Sequence, residues 1–142
     1  MIYTELTKKA LKVCFDAHKD QVDKTGLPYV FHPFHLAEQM DDDISTVCAL
    51  LHDVVEDTDL TFNDLLTMGF PSEVIEVLTL LTHNDDTPYI DYVKKIKGNK
   101  TAVKVKIADL KHNSDITRLD VFDEWAEKRN QKYAQALSIL QE

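Results

Sequence analysis

Hydrophobic residues recur every three to four positions along most of the chain, which is the spacing of an amphipathic helix. The first such segment runs from about Thr4 to Gln21. Another should open at the acidic run 41–43, which is typical of a capped helix start, and continue to about Asp57. The pattern predicts a chain built mainly from amphipathic helices.

Prolines, glycines and capping residues mark the limits of further helices. Pro33 should open a helix that reaches about Met40, and the proline ring should hold the preceding His32 in an extended conformation. The residues 61–64 have the form of a capping box, which predicts a short helix ending near Gly69.

Three more helices follow from the same signals. One should begin at Pro71, and another at the Thr87-Pro88 pair, ending near Gly98. The last should run from about Val121 to Leu140 with Asp120 as its N-cap. Its side chains expected in the core are Trp125, Tyr133, Leu137 and Leu140.

The stretch TAVKVKIADL, residues 101–110, is ambiguous because its apolar residues alternate as in a half-buried strand. No other segment offers a partner strand, and a lone strand is not stable. We therefore interpret it as one long helix that continues through LKHNSDITRL. The predicted fold is an all-α, single-domain helical bundle over residues 1–142.

Composition narrows the class of protein further. A chain of 142 residues with 44% hydrophobic and 29% charged residues is typical of one soluble globular domain. The net charge of −9 argues against a nucleic-acid partner, because that affinity depends on Lys and Arg. No apolar run is long enough to span a membrane and the N-terminus does not resemble a signal peptide, so we expect a cytoplasmic protein. Cys14 and Cys48 should be buried free thiols.

The stretch LLHDVVEDT, residues 50–58, combines four ionisable side chains with apolar neighbours. On one continuous helix, His52 and Glu56 would flank the apolar stripe, with Asp53 and Asp57 next to them. Like charges one turn apart repel, so a cation would stabilise this face. A divalent metal ion is one explanation, and a solvated acidic face with a half-buried histidine is the other.

Two further segments favour the metal. His32 lies where a loop meets a helix, and Asp109 and Asn113 stand one turn apart in IADLKHN. A carboxylate buried among apolar residues without a partner costs several kcal/mol, on the order of what metal ligation could offset.

The order His32, His52-Asp53, Asp109 resembles the HD superfamily of metal-dependent phosphohydrolases. The flanking segments AHKDQVDKTGLPYVFHP, ALLHDVVEDTDLTFNDL, VKIADLKHNSDITRL and EKRNQKYAQAL are similar to the hydrolase domain of the Rel/Spo alarmone enzymes and to stand-alone small alarmone hydrolases. The resemblance extends from about Ala10 to Leu137.

This resemblance implies an HD-type bundle in which His32, His52, Asp53 and Asp109 hold one metal ion, usually manganese. Two imidazoles and two carboxylates without a thiolate also suit an octahedral ion with open water positions. The implied reaction removes pyrophosphate from the 3′ position of guanosine tetra- or pentaphosphate. No synthetase domain is expected in a chain of this length.

The resemblance also implies roles around the metal. Glu56 and Asp57 match a catalytic carboxylate pair, and Asn113 matches a residue that contacts the nucleotide sugar. Arg129 and Tyr133 match positions that approach the substrate. Lys24, Lys106 or Arg129 could offset the negative charge of a phosphorylated nucleotide.

One position departs from the family pattern. Where an Arg usually packs against the guanine ring, this chain has Asp23, which offers no planar cation and would repel phosphates. Replacing Asp23 with Arg should tighten binding of a guanosine alarmone if the loop faces the base. Among the other histidines, His18 is expected to be structural, and those expected to be surface or packing residues are His35, His83 and His112.

Two alternatives to the alarmone hydrolase remain open. The same metal site could serve a phosphatase or nucleotidase that acts on a nucleoside monophosphate or on the 2′-phosphate of NADPH. The bundle could also be a non-catalytic nucleotide-binding module. The intact Glu56 and Asp57 pair favours an enzyme, since a binder does not need a second acidic pair beside the ligands.

Overall fold

Nine α-helices and one short 3-10 turn form the regular structure of the computed structural model, which describes residues 1–142. In chain order the helices are α1 (Glu5–His18), α2 (Phe31–Glu38), α3 (Asp43–Leu51), α4 (Val54–Asp57), α5 (Phe62–Thr67), α6 (Ser72–Leu81), α7 (Tyr89–Ile96), α8 (Lys100–Asn113) and α9 (Glu124–Gln141). The 3-10 turn is Ile116–Arg118. The predicted all-α fold is confirmed, and the stretch 101–110 is helical.

Helix α3 lies at the centre of the bundle. Every residue from Ser45 to Leu51 is buried, and α3 packs against α1, α2, α6 and α8. A helix that is apolar on all sides is stable only when neighbours cover all of it, which explains the continuous run VCALL. Cys14 and Cys48 are buried and free, as expected. No helix in the structure combines the length and apolar character needed to cross a membrane.

Capping side chains set several helix starts. Asp42 accepts the backbone N–H of Ser45, and Thr61 and Asp64 form the predicted reciprocal capping box. Helix α5 then ends at Thr67, and Gly69 follows with a φ of 99°, a conformation that favours glycine.

The predicted single helix through Asp57 is wrong, because α3 ends at Leu51. The Nδ1 atom of His52 lies 2.7 Å from the carbonyl oxygen of Ala49. In a continuing helix that carbonyl would accept the N–H of Asp53, so the imidazole competes for it. Asp53 then takes φ −106° and ψ 0°, and the separate helix α4 begins at Val54.

Three further boundaries differ from the prediction. His32 lies inside α2 rather than in an extended segment, because Pro33 occupies the first turn, where a helix needs no backbone N–H. Helix α8 ends at Asn113, well before the end of LKHNSDITRL. The cap of α7 is Pro88 rather than Thr87.

Helix α9 begins later than predicted. Asp123, not Asp120, accepts the N–H of Ala126 across 2.8 Å. Trp125, expected in the core, is 53% exposed, whereas Leu140 is buried. Helix α9 packs on α7 and α8.

Candidate functional site

Three buried side chains from three helices converge at one point. His32 comes from α2, His52 directly follows α3, and Asp109 belongs to α8. Their potential ligand atoms all lie within 4.8 Å of one another. The Oδ1 atom of Asp109 lies 2.8 Å from Nε2 of His32 and 3.5 Å from Nε2 of His52. The mutual packing of α2, α3 and α8 produces this convergence.

Asp53 joins the cluster through His52. Its Oδ2 atom lies 3.0 Å from Nε2 of His52 and also accepts a hydrogen bond from the Tyr29 hydroxyl. Asp53 lies in the break between α3 and α4, and its carboxylate rests against the imidazole of His52. Three of the four predicted ligands, His32, His52 and Asp109, thus share one cluster, and Asp53 lies beside it against His52.

The hydrogen bonds of His52 leave one nitrogen of its ring without a partner. Nδ1 of His52 must donate to the Ala49 carbonyl, since a carbonyl only accepts. In the neutral ring, Nε2 then points a lone pair at two carboxylates, and it has no hydrogen-bond partner. Burial opposes a charge on the ring, but Asp53 and Asp109 together raise the pKa of His52 well above 6.5. A divalent metal ion would satisfy the same atoms, so this cluster could bind one.

The Asp109 carboxylate is held on both oxygens. Oδ2 accepts from Nζ of Lys106 across 2.9 Å, and Oδ1 accepts from Nδ2 of Asn113 across 3.0 Å. Burial favours the neutral acid, but Lys106 and then the two histidines overcome it and hold the pKa of Asp109 well below its usual range. Asp109 is therefore an ionised, oriented carboxylate, as a metal ligand must be.

A cavity of about 230 Å³ opens beside the cluster, and we call it the catalytic cleft after the role that we propose for it. Of the predicted site residues, it is lined by His52, Asp53, Glu56, Lys106, Asp109, Asn113 and Tyr133. Oε1 of Glu56 accepts the backbone N–H of His83 across 2.5 Å, which fixes the carboxylate at the cleft wall. Partial desolvation raises the pKa of Glu56, the hydrogen bond from His83 opposes this rise, and the negative charges of Asp53 and Asp57 add to it.

Asp57, the other member of the predicted acidic pair, does not line the catalytic cleft. Its side chain is exposed, and its backbone carbonyl accepts from the Gln21 amide across 3.0 Å. Partial desolvation by its neighbours, and then the negative charge of Asp53, raise the pKa of Asp57. Glu56 and Asp57 are adjacent on α4, so their side chains point in different directions around the same helix, and only Glu56 faces the cleft.

A second cavity of about 280 Å³ adjoins the cluster on the side of His32, and we call it the basic pocket. It contains the predicted cations Lys24 and Arg129 together with Arg118, and Asn113 lines both cavities. Nζ of Lys24 lies 2.9 Å from the ring centroid of Trp125. Four predicted contact residues thus divide between two adjoining spaces, with Asn113 between them.

Asp23 lies in the wall of the basic pocket, but its carboxylate also organises the loop. Oδ1 of Asp23 accepts from the backbone N–H and the hydroxyl of Thr25, at 2.9 and 2.8 Å, and from the N–H of Leu27 at 3.0 Å. This oxygen shapes the turn before α2. Asp23 is therefore a structural residue of the pocket rim as well as a negative charge.

Several residues at the site were not predicted from the sequence, among them Tyr29, His83, His112, Arg118 and Lys132. His112, expected to be a surface or packing residue, has Nδ1 2.7 Å from Nδ1 of His32. Lys132 lines the catalytic cleft. A sequence signal existed for Lys132, because it follows Arg129 by three residues and so shares its helix face. His18 is buried, with Nδ1 2.7 Å from the Gln21 side chain.

Comparison with known proteins finds relatives by sequence and a solved structure with a similar fold. No family model matches the chain. The bifunctional (p)ppGpp synthase/hydrolase SpoT of Escherichia coli is 32% identical over 121 residues, which is 75% of this chain and 17% of that protein. A guanosine-3′,5′-bis(diphosphate) 3′-pyrophosphohydrolase of Vibrio cholerae is 36% identical over 91 residues, or 61% of this chain and 13% of that protein.

A solved structure has the same fold. It is described as a metazoan orthologue of SpoT that hydrolyses ppGpp, and it superposes with a TM-score of 0.79 at 21% identity. The superposition covers 99% of this chain and 88% of that one.

The helical architecture and the His/Asp cluster define an HD-type all-α domain. Within that class the chain is a Rel/Spo-like HD domain, which confirms the resemblance predicted from the sequence. The matched region spans less than a fifth of each of the two curated relatives.

Proposed function

We propose that this domain is a metal-dependent hydrolase that removes pyrophosphate from the 3′ position of guanosine 3′,5′-bis(diphosphate). The observation that carries the proposal is the meeting of His32, His52 and Asp109 at one buried point, beside a cleft that contains Glu56. The names of the relatives support the same substrate. A nucleotide rather than a nucleic acid fits the net charge of −9, and we expect the domain to act in the cytoplasm without a membrane partner.

His32, His52, Asp53 and Asp109 are the proposed ligands of the metal ion, which we expect to be Mn²⁺. The set contains nitrogen and carboxylate ligands and no sulfur, which suits a borderline octahedral ion. When bound, such an ion supplies a Lewis acid that polarises a phosphoryl oxygen and lowers the pKa of coordinated water. Tyr29 and Lys106 donate hydrogen bonds to the carboxylates of Asp53 and Asp109, which would hold these groups in place for the ion.

Glu56 is the proposed general base. Its carboxylate is anchored through Oε1 at the wall of the catalytic cleft, and its raised pKa lies closer to the working pH than the pKa of an ordinary Glu. Glu56 would accept the proton of the attacking water. Asp57 remains in the proposal as the second acid of the pair, with a smaller expected effect because it lies outside the cleft.

The substrate would use both cavities. We assign the reacting 3′-diphosphate to the catalytic cleft, where Lys106, Lys132 and Tyr133 line the wall. The rest of the nucleotide would extend past Asn113 into the basic pocket, near Lys24 and Arg129. Cations on both sides of the cluster suit a molecule that carries charge at two ends.

A nucleotide panel with identification of the products tests the function. Metal-stripped protein reloaded with Mn²⁺ should release pyrophosphate from guanosine 3′,5′-bis(diphosphate), and the His52→Ala variant should not. Release of inorganic phosphate alone, from a nucleoside monophosphate or NADPH, would instead favour the phosphatase alternative. Binding without any release by the wild type would contradict the enzymatic proposal and favour a nucleotide-binding module.

A further inference from the structure

The rings of His32 and His112 are joined edge to edge. Their Nδ1 atoms lie 2.7 Å apart, and the two ring planes are within 4° of parallel. Each neutral imidazole has one nitrogen that donates and one that accepts. The contact therefore requires that one of the two rings donates and the other accepts.

The cluster decides which ring must donate if a metal binds. A histidine ligand needs a free lone pair on the nitrogen that faces the metal. Nε2 of His32 faces Asp109, so in the ligating form the proton of His32 must be on Nδ1. That proton can only be donated to Nδ1 of His112, whose own proton must then be on Nε2.

His52 has a matching arrangement with a different acceptor. Its Nδ1 donates to the Ala49 carbonyl, which leaves Nε2 facing the carboxylates. No backbone carbonyl accepts from Nδ1 of His32, and the His112 imidazole occupies that place. His112 is itself held in position: Arg118 donates to its carbonyl oxygen across 2.8 Å, and the His35 ring stacks on it at 4.1 Å between centroids.

We propose that His112 is a positioning residue of the metal centre. Its Nδ1 accepts the Nδ1 proton of His32 and so keeps the Nε2 lone pair of His32 directed at the ion. In that form Nε2 of His32 and Oδ1 of Asp109 are two electron-rich atoms 2.8 Å apart, an arrangement that a shared cation stabilises. The inference deepens the proposed function and rests on its metal site, but not on the identity of the substrate.

Two substitutions of His112 distinguish the effect of its hydrogen bond from the effect of its packing. His112→Phe keeps an aromatic ring against His35 and removes the acceptor, whereas His112→Asn can place an amide oxygen near the position of Nδ1. We would measure Mn²⁺ affinity by calorimetry on metal-stripped protein, with circular dichroism to confirm the fold. His112→Phe should bind Mn²⁺ about 10- to 100-fold more weakly, the usual effect of losing such a partner, and His112→Asn should stay close to wild type. Wild-type affinity in His112→Phe, or an equal loss in both variants, would overturn the proposal.

A second measurement uses the wild-type protein and so does not depend on how the variants fold. With Zn²⁺ bound as a diamagnetic probe, ¹⁵N spectra of the imidazole rings should show His32 protonated at Nδ1 and His112 protonated only at Nε2. A proton on Nδ1 of His112 would overturn the assignment. Neither readout involves a nucleotide, so a protein that binds metal as described but hydrolyses no alarmone would contradict the proposed function alone.

Discussion

Lys106 donates from Nζ to the Oδ2 atom of Asp109 across 2.9 Å, one turn away on the same helix. Burial opposes both charges, but the attraction of Asp109 for Lys106 raises the pKa of Lys106 well above its ordinary value. The carboxylate at the centre of the proposed metal site is therefore ionised through a neighbour on its own helix, while its other oxygen faces the two histidines.

Replacing Lys106 with Met should destabilise the metal-free protein strongly. The Asp109 carboxylate would stay buried without its ammonium partner, and breaking a buried pair from one side costs about 3–5 kcal/mol in free energy of unfolding. Urea denaturation in the presence of a chelator measures this. Lys104→Met is the matched control, because Lys104 pairs with exposed Asp41 and a surface pair contributes at most about 1 kcal/mol. Equal effects of the two substitutions would contradict the role given to Lys106.

Mn²⁺ should stabilise the folded protein through the His/Asp cluster. At a free Mn²⁺ concentration 100 times the dissociation constant, binding adds about 2.7 kcal/mol to the free energy of unfolding. The stabilisation should weaken as the pH falls, because the pKa of His52 is raised and its imidazolium form cannot bind the ion. Urea denaturation with and without Mn²⁺ at several pH values measures both effects. His52→Ala should remove the stabilisation, and an unchanged response in that variant would exclude His52 as a ligand.

Glu56→Gln should lower kcat by about 10²- to 10⁴-fold while leaving Mn²⁺ affinity intact, as expected for loss of a general base. The base acts when deprotonated, so activity falls as the pH drops through its pKa. Because that pKa is raised from 4.5, the acid limb due to Glu56 should lie above 4.5 in the kcat/KM profile of the wild type, and in the variant only the acid loss of metal through His52 should remain. A pH profile of pyrophosphate release measures this.

Asp59→Asn serves as the control for Glu56, because it removes an exposed acid that lies outside the catalytic cleft. It should retain the activity and the acid limb of the wild type. If Glu56→Gln keeps the rate of the wild type, the base must be sought elsewhere.

The helices could be predicted because their signals are local. The apolar spacing in α6 and the capping box of α5 depend on residues within a few positions of each other, and both predictions are confirmed. The break after α3 was not predictable in this way. It depends on one imidazole competing for the Ala49 carbonyl, and hydrophobic spacing is the same on both sides of the break.

The sequence predicted a site residue only where an ionisable side chain stood out from its apolar neighbours. Histidines and carboxylates are unusual in apolar segments, and this drew attention to His52 and Asp109. His112 had no such signal, since it lies in the polar stretch KHNS at the end of α8, and only the packing of α2 on α8 brings His112 against His32. The prediction that Trp125 is buried was wrong for the opposite reason. An aromatic residue at helical spacing is usually buried, but Trp125 lies at the surface beside Lys24.

Asp23 should affect how tightly an anionic nucleotide binds in the basic pocket. Asp23→Asn keeps an oxygen for the turn at Thr25 and Leu27 but removes a negative charge beside Arg118, so binding should tighten by up to about fivefold, the range of a partly exposed charge pair. Asp23→Arg also removes the three hydrogen bonds of Oδ1, so we expect it to gain less than Asp23→Asn.

The affinity for guanosine 3′,5′-bis(diphosphate) is best measured by calorimetry in a Glu56→Gln background, where the ligand is not consumed. Asp20→Asn is the matched control, since it removes an exposed acid that precedes the same loop and lines neither cavity. If Asp23→Asn and Asp20→Asn change the affinity equally, Asp23 exerts only a general charge effect. If Asp23→Arg binds most tightly of all, the position contacts the nucleotide directly and the hydrogen bonds of the turn are dispensable.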